Sequence, residues 1–259
     1  MTDEIDAGVT RRRFGLTAGH ALASLAVASA CGATTNSTRP VAGVRLTARP
    51  RGGVKTSLTS GAIGLGSDGR DGVVQMPATI PDGQLAVLLY LHGATQSGTG
   101  MLRRVGPAAD KAGVVLVAPD SRGTTWDAIR GNFGDDVLFL DRVLELVFAK
   151  VDVDPSRIAV GGFSDGASYA LSLGLSNGDL FPRIVANSPG FVIPAPPSGK
   201  PRIFVSHGTS DPILPIDDCS RVIVPRLKAI GYDVTFREFD GRHEVPPAIA
   251  TEAIAWITG

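Results

Sequence analysis

The sequence predicts an α/β protein, a mostly parallel sheet with helices on both faces. Short continuous apolar runs recur, as strands covered on both sides require. Segments with helical spacing of apolar residues separate them. Glycine or proline stands at many of the joins. The chain has 259 residues, 43% hydrophobic and 19% charged, an ordinary globular composition.

The elements follow in order. "GAIGLGSDG" (61–69) is too glycine-rich to assign, and "RDGVVQMPA" (70–78) reads as a strand. "LAVLLYLHG" (85–93) is a buried strand ending in glycine. "MLRRVGPAADKAG" (101–113) reads as a short helix interrupted near Pro107. "VVLVAPD" (114–120) is another buried strand, and "SRGTTWDAIRGNFG" (121–134) is a long loop. "DDVLFLDRVLELVFAKV" (135–151) has an apolar helical face and acids at its start, which suit a helix amino end. Strand 157–164, helix 165–176 and strands 183–190 and 202–208 come next. Helix 220–231 closes on Gly231, 233–240 alternates as a strand, and 246–259 is a last helix.

The amino end has a different character. "TRRRFGLTAGHALASLAVASAC" has arginines, a mildly apolar stretch and a small-residue site before Cys31. That is the layout of an export signal over 1–30. Arg11-Arg12 followed by Phe14 resembles the twin-arginine type. Two readings of the cleavage site stand. Ala28-Ser29-Ala30 fits an ordinary A-x-A site, and the same residues before Cys31 resemble a lipobox, with Cys31 acylated and anchoring the protein to a membrane. Residues 31–40 read as a flexible spacer and 41–259 as one catalytic domain. The expected location is periplasmic, lipid-anchored on the cell surface, or secreted.

Twenty-five basic and 25 acidic residues cancel, with no basic stripe, so nucleic acid is excluded as a partner. No apolar run of transmembrane length appears. The two cysteines, Cys31 and Cys219, make no disulfide scaffold. No metal-ligand cluster stands out, and no cofactor is expected.

The pattern G-x-S-x-G occurs twice, at 162–166 and 174–178. A nucleophile on this motif needs a buried strand before it and a helix after it, so that a tight turn lifts the hydroxyl from the sheet edge. Ser164 meets this and Ser176, at the tail of the same helix, does not. A serine needs a base, and the base an orienting acid. Active-site residues collect at the carboxyl ends of parallel strands. His20 lies in the signal, while His92 and His207 each end a strand before glycine and suit packing. His243 lies in the loop between the last strand and the last helix, where a base is needed. Asp211 follows the 202–208 strand. Asp217 and Asp218 are alternatives that read better as caps of the next helix. The backbone N–H of Asp165, and that of Ala94 or its neighbour Thr95, are placed to form an oxyanion hole.

"LHGATQSG", "GGFSDG", "HGTSDPILP" and "GRHEVP", in this order, resemble the α/β-hydrolase fold. They are most similar to its carboxylesterase/phospholipase-like and polyhydroxybutyrate-depolymerase or feruloyl-esterase-like branches, over roughly residues 70–259. The resemblance implies Ser164 as nucleophile, Asp211 as acid, His243 as base, and Ala94 and Asp165 as oxyanion donors. It implies a serine hydrolase cleaving carboxylic esters, the alternative being a non-catalytic surface-binding protein on the same scaffold. Many relatives carry a helical cap after the sixth strand. Here "FVIPAPPSGKP" (191–201) is too short and proline-rich for one, so an open site suited to bulky or polymeric esters is expected. Trp126, in the 121–134 loop, is a candidate pocket wall, or equally a core plug beneath the loop.

Overall fold

The apolar runs assemble into one sheet. A computed structural model describes residues 44–67 and 69–259. The strands are β1 (Gly61–Ala62), β2 (Gly72–Gln75), β3 (Leu85–Leu91), β4 (Val114–Pro119), β5 (Val153–Phe163), β6 (Arg183–Asn187), β7 (Arg202–Gly208) and β8 (Val234–Phe239). Their spatial order is β1-β2-β4-β3-β5-β6-β7-β8. The pairings of β2 with β1 and with β4 are antiparallel, and the rest are parallel. The helices are α1 (Gly98–Lys111), α2 (Asp127–Arg130), α3 (Asp135–Lys150), α4 (Asp165–Ser176), α5 (Ser220–Ala229) and α6 (Pro247–Thr258). The predicted export signal, the spacer and Cys31 lie outside the described residues.

β3 shows how sequence alternation makes two cores. All its residues are buried. Val87, Leu89 and Leu91 face one core with residues of α3, α4 and α5. Ala86, Leu88 and Tyr90 face the other, with residues of α1 and α6. Successive side chains point to opposite faces, so a strand covered twice must be apolar throughout. Each fully buried Leu or Val contributes about 1.5–3 kcal/mol.

Several elements differ from expectation. α1 runs unbroken through Pro107. Proline inside a helix costs about 3 kcal/mol, but Met101, Val105 and Ala109 bury the inner face along its length, and the Ser97 hydroxyl caps its start. The 121–134 loop contains the short α2. The segment before residue 61 packs as well: Val44, Leu46 and Ala48 are buried in alternation. Asn177 holds this segment, its Oδ1 accepting the Leu46 N–H and its Nδ2 donating to the Val44 carbonyl, both at 2.9 Å.

β6 stops at Asn187, and residues 188–201 reach β7 without helix or strand. Two α4 serines hold this connection. Ser168 Oγ accepts the Gly190 N–H at 2.9 Å, and Ser172 Oγ accepts that of Ile193 at 2.8 Å. No helical cap is built there. Among the described residues, no helix is long and apolar enough to cross a membrane.

Candidate active site

Ser164 sits between the end of β5 and the start of α4, with φ 58° and ψ −122°. This backbone is strained for a residue with a side chain. Surrounding bonds hold it: the Ser164 N–H donates to the Asn187 carbonyl at 3.0 Å, and its own carbonyl accepts from Ala167 and Ser168. The flanking glycines answer to close packing. A Cβ on Gly162 would lie 2.3 Å from the Gly166 carbonyl oxygen. One on Gly166 would lie 2.2 Å from that of Leu91 and 2.4 Å from that of His92. The motif is thus the sequence trace of a helix start pressed against β3.

The structure brings Ser164, His243 and Asp211 into one row. His243 lies in the loop between β8 and α6, and its Nε2 accepts the Ser164 hydroxyl at 2.8 Å. Its Nδ1–H donates to Asp211 Oδ2 at 2.6 Å. The imidazole packs on Phe163, with ring centroids 4.7 Å apart. Asp211 follows β7 and is buried. Its Oδ1 accepts the N–H groups of Ile213 and Leu214, each at 2.9 Å. Burial by itself would raise the Asp211 pKa, but the Leu214 N–H, the His243 hydrogen bond and the Ile213 N–H outweigh it and hold the carboxyl below its usual range.

His92 and His207 are fixed by packing. His92 Nδ1 donates to the Gly93 carbonyl at 2.7 Å, and its Nε2 accepts the Ser121 N–H at 2.9 Å. His207 Nε2 donates to the Leu214 carbonyl at 2.8 Å and lies 3.2 Å from Asp211 Oδ2, while Nδ1 accepts from Ser220 Oγ at 2.7 Å. Burial lowers both pKa values, keeping these rings neutral. Asp217 pairs with Arg221 at 2.7 Å. Cys219 holds the N-cap position of α5, with no side-chain cap hydrogen bond, so neither Asp217 nor Asp218 caps it. Ser176 ends α4, a helix-length away from Ser164.

Of the two neighbours considered as oxyanion donors, Thr95 commits its N–H to the Thr124 carbonyl at 2.7 Å. The N–H groups of Ala94 and Asp165 have no acceptor among the described residues. A Cβ on Gly93 would lie 3.2 Å from Ser164 Cβ, which puts this loop beside Ser164. Trp126 corrects an expectation. It is wholly buried, as the core-plug reading has it. Its Nε1–H donates to the His92 carbonyl at 2.8 Å, which satisfies the indole and lets its ring lie between His92 and Tyr169. Thr124 and Thr125 were not singled out from the sequence. Their partners lie far along the chain, and no local pattern announces them.

A parallel sheet with a serine on its central strand–helix elbow defines a class, the α/β-hydrolases, and the chain has that fold. Comparison with known proteins narrows the class. Residues 139–258 match the family model described as phospholipase/carboxylesterase. The chain is 30% identical to a putative esterase, NocK, of Nocardia uniformis subsp. tsuyamanensis, over 54% of this chain and 44% of that one. It is 24% identical to a probable feruloyl esterase C of Aspergillus terreus, over 64% of this chain and 63% of that one. The chain therefore spans less than two thirds of either relative's length. The crystal structure of esterase PE8 matches in fold with a TM-score of 0.59 at 22% identity, over 72% of this chain and 97% of that one. The fold is that of the α/β-hydrolases, and over part of its length the sequence is similar to esterases.

Proposed function

We propose that the protein hydrolyses carboxylic esters by two-step acyl transfer on Ser164. The observation that carries this reading is the continuous row from Ser164 Oγ through His243 to Asp211, at 2.8 and 2.6 Å. Neutral His243 takes the serine proton at Nε2 as Oγ attacks the ester carbonyl. Asp211 fixes the tautomer with the proton on Nδ1 and stabilises the imidazolium that forms. The carbonyl oxygen gains negative charge within reach of the Ala94 and Asp165 N–H groups, at the amino end of α4. His243 then protonates the leaving alcohol. Water attacks the acyl-serine by the same route and restores the enzyme.

The cap-free connection at 188–201 supports bulky or polymeric esters as substrates, because no helical layer closes over the serine. The esterase and feruloyl esterase relatives agree with ester chemistry in general. Ser164→Ala tests the reading. Hydrolysis of p-nitrophenyl, feruloyl and polyhydroxybutyrate esters, and labelling by a fluorophosphonate, are expected in the native protein and lost in the variant. Undiminished turnover by the pure variant would refute the nucleophile.

A further inference from the structure

Three consecutive residues of the loop after β4 grip three separate parts of the site. The Thr124 carbonyl accepts the Thr95 N–H at 2.7 Å. The Thr125 hydroxyl donates to Asp165 Oδ2 at 2.7 Å. The Trp126 indole donates to the His92 carbonyl at 2.8 Å. The partners are the loop beside the nucleophile, the residue after the nucleophile, and the chain just before Gly93. Both peptide groups proposed to receive the oxyanion are therefore anchored by one short stretch.

Asp165 poses a problem that this stretch solves. Its backbone N–H serves the oxyanion in the proposed mechanism, yet its side chain is an acid. A carboxylate suits the first turn of α4 in the resting protein. Swinging free, it would repel the negative charge that grows on the substrate oxygen a few ångströms away. Thr125 is buried. A hydrogen bond from it to a carboxylate is of the strong, charge-assisted kind and is sheltered from competing water.

We propose that Thr125 is a positioning residue of the oxyanion hole: its hydroxyl fastens the Asp165 carboxylate aside and so fixes the Asp165 N–H relative to that of Ala94. This deepens the hydrolase reading above and rests on it. Thr125→Val removes the hydroxyl at nearly constant shape, and Thr125→Ser keeps it. The measurements are kcat and KM on p-nitrophenyl butyrate, the affinity of a trifluoromethyl ketone that adds to the serine as an oxyanion, and Tm.

Thr125→Val is expected to lower kcat about 10- to 100-fold, short of the ~10²–10³ lost when an oxyanion donor is deleted. KM should stay nearly constant, and ketone affinity should fall by the same factor as kcat. Thr125→Ser should retain kcat, and Thr125→Val with Asp165→Asn should recover most of the loss, because the repelling charge is gone. An unchanged kcat in Thr125→Val overturns the proposal. So does a loss that Thr125→Ser shares, that ketone binding does not follow, or that Asp165→Asn leaves in place. A native protein that neither hydrolyses esters nor takes fluorophosphonate on Ser164 sinks the hydrolase reading itself. Native activity with a silent Thr125→Val sinks only the present inference.

Discussion

Asp211 uses its two oxygens for different tasks. Oδ1 receives two backbone N–H groups of its own turn, and Oδ2 receives the His243 Nδ1–H. Asparagine can keep only one of these acceptors, and its amide NH₂ must then face either the two N–H donors or the imidazole. Asp211→Asn is therefore expected to lower kcat about 10³–10⁴-fold with little change in KM, measured on p-nitrophenyl butyrate. A second consequence concerns acid. The folded-state pKa of Asp211 is depressed, so it contributes stability that is present above the unfolded value and lost as pH falls through the folded one. Denaturant melts of Asp211→Asn should lose that part of the acid destabilisation, below about pH 4. Motif and chain order made Ser164, Asp211 and His243 legible from sequence. His92 and His207 share much of the same local setting. What separates them is the partner found across the fold, such as Ser121 for one and Ser220 for the other.

Asp136, in the first turn of α3, ties two elements together. Its oxygens accept the Arg122 N–H at 2.6 Å and the Asp127 N–H at 2.7 Å, so it holds the loop after β4 and the start of α2. Burial pushes its pKa up to about 6, against the lowering pull of those two donors. The folded state then binds more protons than the unfolded one between about pH 4 and 6. Across that window this carboxyl makes stability fall as pH rises, by on the order of 3 kcal/mol in all. Asp136→Asn should flatten that slope, as guanidinium melts at pH 4, 5, 6 and 7 would show. From sequence the two acids opening α3 read simply as a favourable charge at a helix start. The crossing bonds to 122 and 127 carry no periodic signal. Pro107 misled for a related reason: the local rule predicts a break, while packing of α1 on the sheet keeps the helix whole.

At the scale of the molecule, the parallel sheet was legible because strands covered twice must be apolar, and β3, β4 and the second half of β5, from Ile158 to Phe163, are. The grip of 124–126 on the site was not legible, because its partners lie some 30 to 40 positions away in the chain. The backbone at Ser164, the proposed nucleophile, affects the whole fold. Glycine relaxes the φ of 58° that serine holds under strain. Relief of about 1–3 kcal/mol, less about 0.5–1 for the freer unfolded glycine, leaves a net gain of about 1 kcal/mol. Ser164→Gly should therefore melt about 2–4 °C above the native protein while hydrolysing nothing, and Ser164→Ala, which keeps the strain, should not share the gain; calorimetry of the two variants checks this. Selection for heat tolerance alone would thus tend to discard the reactive hydroxyl, and thermostable lineages that still turn over substrate must find their added robustness elsewhere in the chain.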